Sequence, residues 1–382
     1  MKKYIDIYGL NLHDSNRGTA ALSYGAIPFL EAKGYLRDGQ ELILFHRYKK
    51  FWKHSNIKVL HEELQINGKT YKRTIVPIHD IEYLLVQKLG IILPFTLFGR
   101  FVREVELEAA IYGGDGFSDI YGTSSFMGRM NQTWILRRAN VPLMFLPQTI
   151  GPFKEKRNYD VAAKLLRYAR EIYVRDDKFA PELKKLGLKY TQTSDLSSFM
   201  MPEPWDIEIK HNAVGLNVSG LAYCNSFHKL KGQFNAYPEL IERIINHFRA
   251  KGSTIYLIPH SYNYNKPIAD DDMLACREVY RKLKDKSNVV LIDRNLISPQ
   301  IKYLISKMTF FIGTRMHANF AAIYTGVPVF GMAYSYKFEG AFNAGGLNGK
   351  EQTAMINNLR AEDIDDYIAK IDRFYHKSVI KG

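Results

Sequence analysis

The sequence predicts an α/β protein built from two Rossmann-like domains facing each other across a cleft. Three observations carry this. Apolar strand-like segments alternate with segments of helical spacing, the pattern of parallel strands joined by helices. The alternation runs in two series, separated by "FMMPEPWDIEIK" (199–210), whose prolines and charge mark a linker. The length, 382 residues, exceeds one ordinary domain and suits two.

In the first series, "YIDIYGL" (4–10) reads as a buried strand and "TAALSYGAIPFLEAKGY" (19–35) as the helix after it. "ELILFHRY" (41–48), "EAAIYGGDG" (108–116), "VPLMFLPQ" (141–148) and "EIYVRDD" (171–177) continue the strands. "NQTWILRRAN" and "NYDVAAKLLRYAR" supply helices between them. In the second series, strands are expected at 213–220, 254–260, 288–293, 309–313 and 327–334. The helix at 237–252 ends in a C-cap glycine. Another falls near 271–285, and a third at 298–308 takes Ser298 as N-cap and Pro299 at its first position. The domains are therefore set at 1–204 and 205–360. Residues 51–100 fit poorly and read as an insertion with one or two helices, and a last helix at 361–376, within 361–382, packs back across the halves.

Composition narrows the function. Hydrophobic content is 46% and charged content 24%, which fits a globular chain and excludes a disordered one. No apolar run reaches membrane-spanning length. The N-terminus lacks the cleavage pattern of a signal peptide, and Cys224 and Cys276 have no metal-ligand spacing, so a reducing, cytoplasmic setting is expected. A net charge of +14 favours an anionic partner: a phosphorylated small molecule, nucleic acid or an acidic membrane face. The basic residues are scattered and no nucleic-acid-binding motif is present, so no nucleic-acid partner is expected.

In open parallel sheets, ligands bind beyond the carboxyl ends of the strands. The polar residues there include Asn16 and Gly18 after the first strand, Asp115 and Asp119 after "AAIYGG", Gln148 after "LMFLP", and Arg175 after "EIYV". In the second half they are His260, then Arg315 and His317 after "TFFIG", and Lys337 beyond "VFGMA". The segment "TRMHANF" opens a helix, whose free N–H groups near Met316 and His317 favour an anion. Arg315 offers a planar cationic fork, and His317 a proton near neutral pH. Against this stands the plainer expectation that Arg315 is spent in a salt bridge and His317 is a satisfied helix residue. The "GGDG" turn and the Asn16 turn are equally open to structural roles. His260 with Asp270–Asp272 has the composition of a metal site, yet adjacent carboxylates at a helix start are commonly caps, so no metal is expected. The absence of a Walker A or G-x-G-x-x-G pattern argues against an ATPase or dehydrogenase.

Taken together, "GTRMHANFAAIYTGVPVFGMAYSYKFEG" (313–340) resembles the most recognisable motif of the polysaccharide pyruvyl transferase family, with Met316 in place of a usual leucine. "SNRGTAAL" (15–22), "YGGDGFSD" (112–119), "LPQTIGPF" (146–153), "YVRDD" (173–177) and "LIPH" (257–260) resemble further family segments in the same order. Asp115 departs from a frequent glycine. Residues 51–100 and the tail beyond about 345 lie outside the resemblance.

The resemblance implies a GT-B-like fold. It implies transfer of pyruvate from phosphoenolpyruvate (PEP) to a hexose of a surface polysaccharide or its lipid-linked precursor, with a cyclic ketal formed and phosphate released. PEP is then a donor substrate, and no nucleotide or metal cofactor is required. Arg315 and Arg175 are assigned to the PEP anions, with Lys337 screening phosphate and the amides near Met316 assisting. His317 is the proton donor, Asp119 or Asp115 the base, and Asn16, Gly18, Gln148 and His260 line the substrates. Peripheral contact with the inner membrane face would suit a lipid-linked acceptor. The rival expectations are a nucleotide-sugar glycosyltransferase of the same fold and a non-catalytic glycan- or phosphate-binding relative.

Overall fold

A computed structural model describes residues 2–48, 58–177, 179–226, 230–335 and 337–380. The chain forms two compact units. The first comprises Met1–Asn11 and Leu22–Phe199; the second comprises Leu12–Ala21 and Met200–Gly382. The boundary expected at 204 thus falls at 199/200, and a ten-residue segment near the N-terminus belongs to the second unit.

The first unit is an eight-stranded sheet in the order β3-β4-β2-β1-β5-β6-β7-β8. Its strands are β1 (Tyr4–Tyr8), β2 (Glu41–Tyr48), β3 (Leu60–Ile66), β4 (Lys69–His79), β5 (Val105–Ala110), β6 (Leu143–Gln148), β7 (Glu171–Val174) and β8 (Thr191–Gln192). All neighbours pair in parallel except β3 with β4. Helix α1 (Arg17–Ala32) follows β1, and α4 (Thr123–Arg138), α5 (Lys156–Tyr168) and α6 (Ala180–Lys185) follow β5, β6 and β7. Such crossovers cover a parallel sheet, which is why β6 is buried at every residue.

The awkward region 51–100 resolves differently from its expectation. Residues 51–57 lie outside the described residues. Beyond them, β3 and β4 form an antiparallel hairpin around Asn67 and Gly68, whose φ values of 51° and 76° suit a two-residue turn of the I′ kind. β4 extends the sheet by pairing with β2, and α2 (Asp80–Leu89) and α3 (Leu97–Phe101) follow. The helices were expected; the hairpin was not.

The core of this unit holds two carboxylates on neighbouring strands. Asp6 of β1 pairs in register with Glu108 of β5, and both are buried. Gln132 donates to Asp6, and Thr133 donates to Glu108. Burial pushes the Asp6 carboxyl up to about 7, and burial with the neighbouring Asp6 raises Glu108 as well.

The second unit is a six-stranded, wholly parallel sheet in the order β11-β10-β9-β12-β13-β14. Its strands are β9 (Ala213–Asn217), β10 (Thr254–Leu257), β11 (Val289–Leu291), β12 (Phe310–Gly313), β13 (Val329–Ala333) and β14 (Thr353–Met355). Its helices are α7 (Gly220–Cys224), α8 (Tyr237–Ala250), α9 (Asp272–Lys282), α10 (Ser298–Ser306), α11 (Met316–Ile323), α12 (Lys337–Ala344), α13 (Gly349–Gln352) and α14 (Ile364–Tyr375). The apolar face of α8 (Leu240, Ile241, Ile244, Ile245 and Phe248) is buried against the sheet. Each such aliphatic side chain contributes about 1.5–3 kcal/mol.

The terminal helix α14 buries Ile364, Tyr367, Ile368, Ile371 and Tyr375 in that same core, where Tyr375 meets Phe248 and Phe310 edge-on. It had been expected to reach back to the first half; its apolar stripe is committed to the second. At α10, Ile297 takes the N-cap place expected of Ser298, whose hydroxyl instead donates to the Arg17 carbonyl at 2.7 Å. Among the described residues, no helix is long and apolar enough to cross a membrane.

Candidate active site

The candidate residues separate into two groups, one in each unit. In the second unit, β12 ends at Gly313 and α11 begins at Met316, so Thr314 and Arg315 form the hinge between them. This hinge is tightly held. Thr314 Oγ1 lies 2.7 Å from the Tyr237 hydroxyl, which also accepts from the Ser219 amide. The Arg315 amide donates to Asn217 Oδ1 at 2.8 Å. Asn319, one turn into α11, donates to the Gly313 carbonyl, and a Cβ on Gly313 would fall 2.2 Å from Asn319 Oδ1. A side chain at 313 would have to displace Asn319 or Phe311 where the strand hands over to the helix.

The Arg315 guanidinium is buried and engaged on several sides. Its Nε lies 3.1 Å from Asp272 Oδ1, its Nη2 2.7 Å from the same oxygen and 2.6 Å from the Asp270 carbonyl, and its Nη1 3.0 Å from Asp270 Oδ2. Burial works against the charge, but Asp272 outweighs it and the guanidinium pKa is raised. The fork expected to grip PEP is thus closed onto carboxylates of its own unit. Its direct role here is to lock the head of α11 to the loop before α9.

Asp272 is the hub of that lock. Fully buried, it also accepts from the amides of Gly220, His260 and Ser261. Asp271 caps α9 by accepting from the Leu274 amide. The carboxylates once considered as metal ligands are thus spent on a helix cap, backbone amides and a cation. Among the described residues, no group of three or more His, Cys, Asp or Glu is placed to hold a metal.

The segment Leu12–Ala21 completes this region. Ser15 and Arg17 pair with Tyr262 and His260 through the backbone, around a bridge between Asn16 and Ser261. Asn16 Oδ1 accepts from the Gly18 amide and so caps α1. Gly18 then meets the His317 ring, since a Cβ there would stand 2.6 Å from Nδ1 and 2.8 Å from the His317 Cβ. The Phe320 ring, one turn on in α11, lies 5.5 Å from the imidazole and nearly perpendicular to it. His260 is buried close by. Burial lowers its pKa well below the usual imidazole value, and the neighbouring His317, Arg315 and Arg17 lower it further. Met316 opens α11 half-buried, and Lys337 opens α12.

In the first unit, the candidates sit at the ends of β5, β6 and β7, and each has structural partners. Asp119 accepts from the amides of Lys154 and Glu155 and from Asn158 Nδ2, at 2.9–3.0 Å. Burial would raise its pKa, but these donors win and hold the carboxylate below its usual range. A carboxylate held this way is a poor proton acceptor and a good anchor for the start of α5. Gln148 is wholly buried; it accepts from the Tyr112 amide and donates to the Ala110 carbonyl, joining β5 to β6. It offers nothing to a sugar. Arg175 donates to Asp195 at 2.7 Å and to Thr149 Oγ1 at 3.1 Å, with its charge maintained against burial chiefly by Asp195. Asp115, half-buried, has the Tyr121 hydroxyl at 3.2 Å.

Sequence reasoning missed Asn217. Arg17 was visible as a polar residue after the first strand, inside an Asn-x-Gly turn, but without its role in building the site. Asp272 was weighed with Asp270, Asp271 and His260 as a metal ligand and set down as a helix cap.

A family model described as polysaccharide pyruvyl transferase matches residues 16–336. The chain belongs to this family. It is 23% identical over 277 residues to the amylovoran biosynthesis protein AmsJ of Erwinia amylovora; the match covers 68% of this chain. The chain spans about 63% of the length of that curated relative. Among solved structures, a putative UDP-N-acetylglucosamine 2-epimerase from Listeria monocytogenes is similar with a TM-score of 0.56 at 10% identity, covering 99% of this chain and 90% of that one. A UDP-GlcNAc 2-epimerase from Methanocaldococcus jannaschii gives the same TM-score and identity, covering 99% and 94%. At that identity the likeness is one of fold. It places this member of the family in the GT-B-like class of paired parallel-sheet units.

Proposed function

We propose that the protein transfers the pyruvyl group of PEP to a hexose of a surface polysaccharide or its precursor, forming a cyclic ketal and releasing phosphate. Family membership supports the transferase class. The observation that carries the finer reading is the head of α11, which opens beyond the carboxyl end of β12 and is held there by the Arg315–Asp272 lock, with His317 packed on Gly18. The free amides of such a helix start favour an anion such as the carboxylate or phosphate of PEP.

In this reading His317 protonates the methylene carbon of PEP. A sugar hydroxyl attacks the resulting oxocarbenium-like carbon and its proton restores His317; a second hydroxyl then displaces phosphate to close the ketal, its proton leaving with the phosphate. Arg315 acts on the anion through its charge and through the position it gives α11, since its fork is held by Asp272 and Asp270.

The test is PEP with a panel of synthetic and lipid-linked hexosides, read by phosphate release and by mass spectrometry of the glycan. The expected product is heavier by pyruvate less water, and His317→Ala lowers turnover by about 10²–10⁴-fold, the usual worth of a general acid. Unmodified glycans across the panel, or a His317→Ala variant with wild-type turnover, would sink the assignment.

A further inference from the structure

We propose that a small pocket beside the Asn16 turn seats one neutral sugar ring of the acceptor; this rests on the pyruvyl-transfer reading above. The pocket lies wholly in the second unit and has a volume of about 190 Å³. That is below the roughly 300–1,000 Å³ of pockets for drug-sized ligands, so its occupant is of single-ring size. Amides and hydroxyls are prominent among its lining residues: Asn263, Asn265, Asn295, Ser15 and Tyr264. Amide groups both donate and accept, as sugar hydroxyls do.

The one arginine in the wall is not offered to a ligand anion. Arg17 Nε donates to the Leu296 carbonyl at 2.8 Å, Nη1 to the Asp14 carbonyl at 2.6 Å, and Nη2 to Asn295 Oδ1 at 3.1 Å. Its guanidinium also lies 4.4 Å from the centre of the Tyr262 ring. A phosphate placed here would have to break these bonds; a neutral polyol would not. The charge serves instead to orient Asn295 and to fix the wall.

Tyr264 supplies an aromatic plane that stays partly open. It is 40% exposed, with the Arg277 guanidinium 5.5 Å from its ring centre. The loop that carries it is pre-organised, because Asn263 Oδ1 accepts from the amides of Asn265 and Lys266. An amphipathic ring of this kind suits the apolar face of a pyranose while its hydroxyls meet the amides. The chain also links this pocket to the reaction. Arg17 stands in its wall, and the next residue, Gly18, is the one against which His317 packs.

Saturation-transfer NMR with methyl hexopyranosides (galacto, gluco and manno) tests the pocket on the intact protein, with uridine as a competitor of different chemistry. Wild type is expected to bind at least one hexoside and to ignore uridine. Tyr264→Ala and Asn295→Ala should each weaken that binding about tenfold or more. Thermal stabilisation by PEP should be the same in both variants as in wild type. Hexoside binding that neither variant alters would overturn the pocket while leaving PEP chemistry intact. A uridine signal lost in the variants, or no signal from any of these ligands, would overturn it too. PEP failing to stabilise wild type would instead count against pyruvyl transfer, whatever the sugars do.

Discussion

The His317 imidazole and the Gly18 α-carbon are in contact: a methyl group on Gly18 would come within 2.6 Å of Nδ1. A glycine that sequence alone reads as part of a ligand loop is, in the fold, the floor under the proposed proton donor. Gly18→Ala should therefore push the ring out of place while leaving the capped start of α1 intact. The expected result is a loss in kcat of at least about tenfold, or about 1.4 kcal/mol of barrier, with a near-unchanged circular dichroism spectrum. Wild-type kcat in this variant would show that the ring position is unimportant.

The Arg315–Asp272 pair predicts a stability signature. Breaking a buried ion pair by removing one partner costs about 3–5 kcal/mol, because the other charge is left uncompensated. Arg315→Met and Asp272→Asn should each lower the urea midpoint strongly, and the double variant should lose clearly less than the sum. Strict additivity in this cycle would mean the two groups do not act as a unit.

Asp119 gives a cleaner separation of structure from chemistry. As an anchor for α5, its replacement by alanine should cost about 0.5–2 kcal/mol of stability, the range for a lost helix cap. Asp119→Asn, which keeps an acceptor oxygen, should retain kcat to within a few-fold. A general base would lose about 10²–10⁴-fold on the same change. Kinetics and thermal melts on the two variants distinguish these outcomes.

Two buried groups should give stability opposite dependences on pH. His260 has a folded pKa below its unfolded value of 6.5, so the unfolded chain binds more protons as pH falls. Its stabilising contribution is present above 6.5 and is lost as pH drops toward the folded pKa. Asp6 is the reverse: its carboxyl is raised from 3.8 to about 7, so its contribution is full below 3.8 and lost as pH rises to 7. In melts across this range, His260→Asn should flatten the acid-side loss, and Asp6→Asn should gain on wild type as pH rises. If both variants parallel wild type, neither group titrates with unfolding.

The strand–helix alternation was legible because parallel sheets bury both faces and so write long apolar runs, as in β6 and β12. The β3–β4 hairpin was equally legible, through Asn67–Gly68 between alternating strands, although it interrupts the strand–helix rhythm on either side. The candidate site was readable as a set of residue types at strand ends. Their partners were not. Arg315 meets Asp272 at a separation of 43 positions along the chain, and nothing in either local sequence distinguishes a cation waiting for a ligand from one already paired. The same limit applies to Gln148 and Asp119, whose bonds go to backbone groups that no motif advertises.

The second unit is discontinuous in sequence, and this bears on how the protein is made. Tyr262 takes its amide acceptor from Ser15, and Ser298 donates to Arg17, so residues synthesised before most of the first unit are needed by a unit completed after it. On the ribosome, the stretch 12–21 must wait through some 180 residues before the rest of its own unit has begun to emerge. A cut at the apparent linker near 200 would then yield no self-sufficient second half, and adding the first twenty-odd residues as a separate peptide should restore part of its structure.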